Sequence, residues 1–183
     1  MADGCLDTRA LRTALGLFTT GVTIITTRKP DGHAGLTVNS FTSVSLDPPL
    51  VLFCLASRST LLPWFEQSQH FAVNVLAKGQ QALSNLFARP SVNTWEGVHY
   101  RIGTHGCALI AGALGTFECA RRDLVPTGDH LIVVGEVVCF EAVLPLAEPL
   151  VFCHGTYGTF TRDQSGIVAV PDGTLSEFVS YWG

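Results

Sequence analysis

Two β-branched runs bent around a Pro-Asp-Gly corner, "GVTIITTRKPDGHAGLTV" at 21–38, constrain this chain more than any other stretch. β-Branched side chains are stiff at χ1 and pack well on a pleated surface, and Pro-Asp-Gly between two such runs is tight-turn chemistry. The segment reads as an antiparallel hairpin, and the rest of the chain must be built around it. Ahead of it, "DTRALRTALGLFTTG" spaces Leu11, Leu15 and Phe18 at helical intervals behind Asp7 and Thr8 as N-caps. After an Asp-Pro-Pro turn come a buried strand over 50–56, a helix near 61–67, the strand "HFAVNVLA" and a second helix around 80–87. Two more strands, "ALIAGALGTFECARRD" and "HLIVVGEVVCFEAV", flank the turn "LVPTGD", and a last strand lies near 150–160. Connections made of hairpins and short helices favour an antiparallel sheet closed into a barrel over a doubly wound α/β sheet.

The function classes narrow by exclusion. At 183 residues, 47% hydrophobic and 14% charged, the chain has the size of one domain with a substantial core. A formal charge of -4, with 11 scattered Lys and Arg, leaves no basic stripe for nucleic acid. The longest apolar run, "PLVLFCLA" at 49–56, is too short to span a bilayer, and the acidic start "MADGCLDTRALRTA" lacks a signal-peptide pattern. The expectation is a soluble cytoplasmic protein with no membrane partner. Its six cysteines form no CxxC and read as reduced thiols. No GxGxxG, GxxxxGK[ST] or GxSxG is present, so Rossmann, P-loop and serine-hydrolase devices drop out. His99, His105 and Cys107 lack the paired spacing of a zinc site and no HExxH exists, so no metal is expected.

One stretch resists this tidy reading. "GLTVNSFTSVSLDPPLVLFCL" at 35–55 sets Thr37, Asn39, Ser40, Thr42, Ser43 and Ser45 against a strongly apolar run. A buried hydroxyl or amide must find a partner or cost stability. Either the stretch is a wet loop, or something other than protein supplies the partners.

The order "FTTGVTIITT", "GLTVNSFTSVSLDPPLVLFCLA", "FAVNVLA", "GDHLIVVGEV", "PLVFCHGTYG" resembles the flavin reductase-like family, small reductase components of two-component flavin-dependent monooxygenases. The resemblance runs from about residue 11 to about 160. It divides the chain into a reductase-like domain over 1–163 and a C-terminal extension over 164–183. It implies a mainly β fold, a six-stranded antiparallel Greek-key split barrel with a few short helices. It further implies a homodimer that uses NADH or NADPH to reduce FMN or FAD and passes the reduced flavin to a separate oxygenase component. A non-catalytic flavin-binding module on the same barrel is the alternative, because one fold hosts many functions.

The same resemblance assigns roles residue by residue. Thr37, Val38, Asn39, Ser40 and Ser43 would run along the isoalloxazine edge; the alternative is a solvated hairpin end bonded to its own backbone. Ala56, Ser57, Arg58, Ser59 and Thr60 follow a strand and precede a helix, where backbone N–H groups, hydroxyls and a guanidinium can converge on the flavin phosphate. The alternative, compatible role is that Ser59 or Thr60 caps that helix. His130 would lie close to the flavin and nicotinamide, positioning the dinucleotide instead of moving protons, because hydride transfer needs C4 and N5 aligned at about 3.5 Å. Its alternative is a turn-end histidine bonded to Asp129 or a nearby carbonyl. His154 and Tyr157 would border the cofactor pocket, with Gly155 and Gly158 permitting close backbone approach. Phe71 and Asn74 would bring one end of their strand near the dimethylbenzene ring or the nicotinamide.

Overall fold

A computed structural model describes residues 6–89, 95–142 and 148–160. Helix α1 (Thr8–Leu15) begins where its cap predicts: the Asp7 carboxylate accepts from the backbone N–H of Arg9 at 2.9 Å and of Ala10 at 3.3 Å. None of its residues is buried, and Leu11, Leu15 and the following Leu17 and Phe18 face outward.

After a short strand β1 (Thr20–Gly21), β2 (Thr23–Lys29) and β3 (Gly32–Val38) form the expected hairpin, with Lys29 opposite Gly32. β2 is buried on both faces, which its unbroken Thr-Ile-Ile-Thr-Thr run anticipates. Ile25 joins Phe53, Leu55, Phe65, Phe71 and Val133 in one core, while Ile24 joins Leu76, Phe87 and Leu150 in a second. The buried hydroxyls are satisfied: Thr26 donates to the carbonyl of Ala108 at 2.6 Å and Thr27 to that of His70 at 2.8 Å.

The chain continues through β4 (Thr42–Leu46), β5 (Pro49–Ala56), α2 (Leu62–Gln67), β6 (His70–Val75), a 3-10 turn (Lys78–Gln80) and α3 (Gln81–Phe87). Then follow the short pair β7 (Tyr100–Ile102) and β8 (Ala108–Ile110), the long pair β9 (Gly115–Thr127) and β10 (His130–Ala142), and β11 (Leu150–Cys153) with β12 (Thr156–Thr159). The main sheet runs β3-β2-β6-β9-β10-β5-β4, all antiparallel. Residues 39–41 alone link its two edge strands. Laid flat, those edges would lie about 29 Å apart, six spacings of about 4.8 Å. The link from Val38 to Thr42 spans at most about 14 Å. The sheet therefore curls until its edges approach, with the Phe53 and Phe71 core inside.

Four details correct the sequence reading. The main sheet has seven strands where six were expected, and β1, β11 and β12 form a separate three-stranded sheet. Part of the hydroxyl-rich stretch pairs with β5 as an edge strand: its backbone is satisfied by the ladder while its side chains stay mostly exposed. The turn "LVPTGD" shrinks to Gly128 and Asp129, because β9 runs on to Thr127. Pro126 is tolerated there because β6 ends opposite Ala120, leaving no third strand to receive a missing N–H. Finally, 150–160 is two strands, not one, turned at His154 (φ 51°) and Gly155 (φ 75°), a left-handed pair matching a tight hairpin turn. The expected extension over 164–183 lies outside the described residues. Among those described, no helix is long and apolar enough to cross a membrane. The described cysteines, Cys54, Cys107, Cys119, Cys139 and Cys153, are all free thiols.

Candidate functional site

Three segments that are far apart in sequence meet at the Ala56 end of β5. Ser40 Oγ accepts from the backbone N–H of Cys54 at 3.0 Å, pinning the 39–41 link two residues before Ala56. The register of β10 on β5 sets His130 opposite Ala56, and the N–H of Ser57 donates to the carbonyl of Asp129 at 3.0 Å. Asn39, Ser57, Arg58 and Thr60 are exposed around this junction, whereas Ser43, also exposed, lies further along β4 opposite Val51. Among the described residues their side chains have no hydrogen-bond partner in the protein. At the junction the set offers one amide, two hydroxyls and one guanidinium to a ligand, with Ser40 still holding a free hydroxyl proton.

The turn before α2 is built by its own backbone. The N–H of Ser59 donates to the carbonyl of Ala56 at 2.9 Å, and Ser59 Oγ accepts from the N–H of Leu61 at 3.3 Å. Neither Ser59 nor Thr60 takes the capping role weighed for it: Leu61 holds the cap position, no side chain caps the helix, and Ser59 Oγ only closes the turn ahead of it.

His130 is held at one nitrogen. Its Nδ1 lies 2.7 Å from Asp129 Oδ1. The hydrogen bond from His130, then the charge of that ring, with a smaller contribution from Arg58, hold the Asp129 carboxyl below its ordinary value of 3.8. An ionised Asp129 accepts only, so Nδ1 carries the proton and Nε2 is left as the working nitrogen. The alternative weighed for His130, a bond to Asp129, is therefore present, and it orients the ring without consuming both nitrogens.

Other expected residues fall elsewhere. Phe71 is 1% exposed and packs edge-on against Phe53 at 5.3 Å, over Gly135, where any Cβ would come within 2.4 Å of its ring. Asn74 is fully buried; its amide donates to the carbonyl of Ile24 at 3.0 Å and its oxygen accepts from the N–H of Ile110 at 2.7 Å. Both were expected beside the cofactor, and both are corrected to core positions that present no surface to a ligand. Thr37 donates to the carbonyl of Ser84 at 2.7 Å. Ser84 Oγ lies 2.8 Å from the Tyr157 hydroxyl, which also reaches Asn85 Oδ1 at 3.1 Å. Tyr157 therefore stands beside Thr37, Val38 and Asn39 around a small pocket of about 150 Å³, its ring available and its hydroxyl engaged. His154 sits exposed on the hairpin turn, its N–H donating to the carbonyl of Gly16 at 2.8 Å.

Ser84 was missed in the sequence, although a serine on the apolar face of "QALSNLF" was a visible signal. The role of the Cys54 N–H left no signal, because a backbone donor is the same in every residue.

The curled antiparallel sheet thus brings together, where its edges approach, a cluster of free donors, one guanidinium and an oriented imidazole. The chain matches the flavin reductase like domain over residues 15–161, and it belongs to that family. It is 44% identical over 156 residues to the FMN reductase (NADH) SmoA of Agrobacterium fabrum, covering 85% of this chain and 88% of that one. It is also 44% identical over 168 residues to the reductase component of the flavin-dependent trigonelline monooxygenase of Acinetobacter baylyi, of which it spans 54%. Among solved structures, the NADH:FAD oxidoreductase SgcE6 of Streptomyces globisporus, in complex with NAD and FAD fragments, superposes with a TM-score of 0.82 at 39% identity over 86% of this chain and 95% of that one.

Proposed function

We propose that this chain is an NAD(P)H-dependent flavin reductase that reduces FMN or FAD and releases the product to a separate oxygenase component. The observation that carries the reading is the junction at the end of β5: the free donors of Asn39, Ser57, Arg58 and Thr60 converge beside an imidazole fixed by Asp129. The activities of the Agrobacterium and Streptomyces relatives, an FMN reductase (NADH) and an NADH:FAD oxidoreductase, support it. When bound, the flavin supplies N5 as the acceptor of the hydride from nicotinamide C4.

This chain's residues then bind and orient. Backbone groups of 38–41 and the Asn39 amide face the polar edge of the ring, and Arg58, Ser57 and Thr60 hold the phosphate. His130 Nε2 orients the pyridine nucleotide, since the hydride step itself needs no enzyme proton. In this reading the curled sheet is the family's Greek-key split barrel. The outward Leu11, Leu15 and Phe18 of α1 and the turn after it, 42 to 79% exposed, are apolar side chains of the kind that a homodimer covers. Cytoplasmic placement is part of the same proposal.

With few cations to anchor it, flavin behaves as a substrate. Purified protein is expected to be pale, and NADH oxidation should rise steeply with added FMN or FAD. Flavin binding without NADH consumption would assign the non-catalytic module instead. A flavin that survives dialysis, with activity indifferent to added flavin, would overturn the diffusible carrier.

A further inference from the structure

A second polar concavity of about 390 Å³ lies between the β2–β3 turn, the end of α2 and the turn before β8. Arg28, Lys29, His70 and His105 line it, and no carboxylate does. Along β3 it is about 20 Å from Thr37–Asn39, six residues at about 3.3 Å each.

Its parts are held rigidly from behind. Glu118, 4% exposed, accepts from the N–H groups of Thr104 at 3.1 Å and His105 at 2.8 Å. Gly103 is required above that carboxylate, since a Cβ there would come within 2.5 Å of it. The turn so fixed lays the His105 ring flat on His70, centroids 4.5 Å apart and planes 15° from parallel. The backbone of His70 is fixed too, its carbonyl accepting from Thr27 at 2.8 Å and from Ser68 Oγ at 2.7 Å. Neither ring has a side-chain hydrogen bond among the described residues, and the Arg28 guanidinium, lying across Gly106, has no acceptor there.

Stacked imidazoles beside an unpaired guanidinium are a costly arrangement for nothing: each added proton repels its neighbours until an anion sits among them. We propose that this cleft binds a doubly charged oxyanion, inorganic phosphate or the phosphoryl group of a small metabolite, held by Arg28, Lys29, His70 and His105. Burial, then the charge of His105, lower the His70 pKa from 6.5, against the opposing pull of Glu118, and the charge of a bound dianion would act in the same direction as Glu118. The other charges bearing on the cleft are already engaged. Lys29 leans on Asp31 at 3.3 Å, a surface contact an anion can outcompete. Arg121 donates to the carbonyls of Ser68 at 2.9 Å and Glu66 at 3.3 Å, and His33 lies within the field of Arg28.

The test follows the imidazole C2–H proton NMR signals of His70 and His105, assigned with His70→Gln and His105→Gln, during titration with sulfate at constant ionic strength. Sulfate stays a dianion across the range, so any pH dependence belongs to the protein. Both signals should shift saturably, with affinity about tenfold higher near pH 5.5 than near pH 8. Arg28→Gln should weaken binding about tenfold while keeping NADH-dependent flavin reduction, and Arg58→Ala should leave the two signals' response intact. AMP acting at about tenfold lower concentration than phosphate makes the ligand a nucleotide; equal potency makes it the free oxyanion. Signals that do not move, or that shift without saturation and alike in Arg28→Gln, overturn the site.

Discussion

Asn74 and Asn39 are the same side chain in opposite settings. Asn74, with no exposure, bonds to Ile24 and Ile110 and reaches the Ala108 carbonyl at 3.5 Å, stitching three strands together. Asn39, at the link between the sheet's edges, is exposed and makes no bond within the protein among the described residues. The difference separates polarity that builds the fold from polarity that the fold leaves open. What decides is whether the neighbouring strands already close each donor and acceptor.

The strongest way to break the contrast is Asn74→Leu. Orphaning the Ile24 and Ile110 backbone groups should cost about 3–5 kcal/mol, read from the urea unfolding midpoint, while Asn39→Leu should change stability by less than about 0.5 kcal/mol. Equal losses would erase the distinction. Next comes Arg58→Ala, which should weaken FMN binding by about 1.5–3 kcal/mol and leave riboflavin binding nearly unchanged. A riboflavin loss of the same size would move the phosphate site elsewhere.

Smaller still, His130→Ala should raise the KM for NADH about tenfold with flavin affinity near wild type. Anaerobic stopped-flow reduction across pH checks it: a large rate loss at saturating NADH, with a pH step that the variant lacks, would make His130 a proton donor.

The mildest test concerns an exception in the closed region. His33 Nδ1 is buried with no partner among the described residues, between the edges of Trp95 and Tyr100 at 5.7 and 5.4 Å. Burial, then Arg28 and Lys29, lower its pKa below 6.5. The unfolded chain therefore takes up this proton first, so its contribution to stability is whole above pH 6.5 and is lost as pH falls through the folded value. A melting temperature that drops from neutral to acid pH, less steeply in His33→Phe, is the expected result; identical slopes would remove His33 from the account.

The hairpin over 21–38, the strand ending at Ala56 and both helices after it were legible because their periodicity and turn residues act locally. The seventh strand was not, because Thr42–Leu46 pairs through its backbone whatever its side chains are. At the site, Arg58 and Asn39 were legible as polar groups out of place. Phe71 and Asn74 misled, because strand alternation does not say which face of β6 is covered. That depends on Gly135, 64 residues beyond Phe71, and on the β8 backbone, 36 residues beyond Asn74.

The three-residue link at 39–41 has a kinetic consequence. It runs between two paired strands and is tied to Cys54, which leaves it little reach with which to swing over a ligand. A molecule reading its backbone docks on a rigid seam, and its residence time is set by the strength of its contacts, not by the opening of a gate. For a protein proposed to hand its product onward, speed of delivery and tightness of grip then trade off directly, and a loosely held flavin is what that proposal requires.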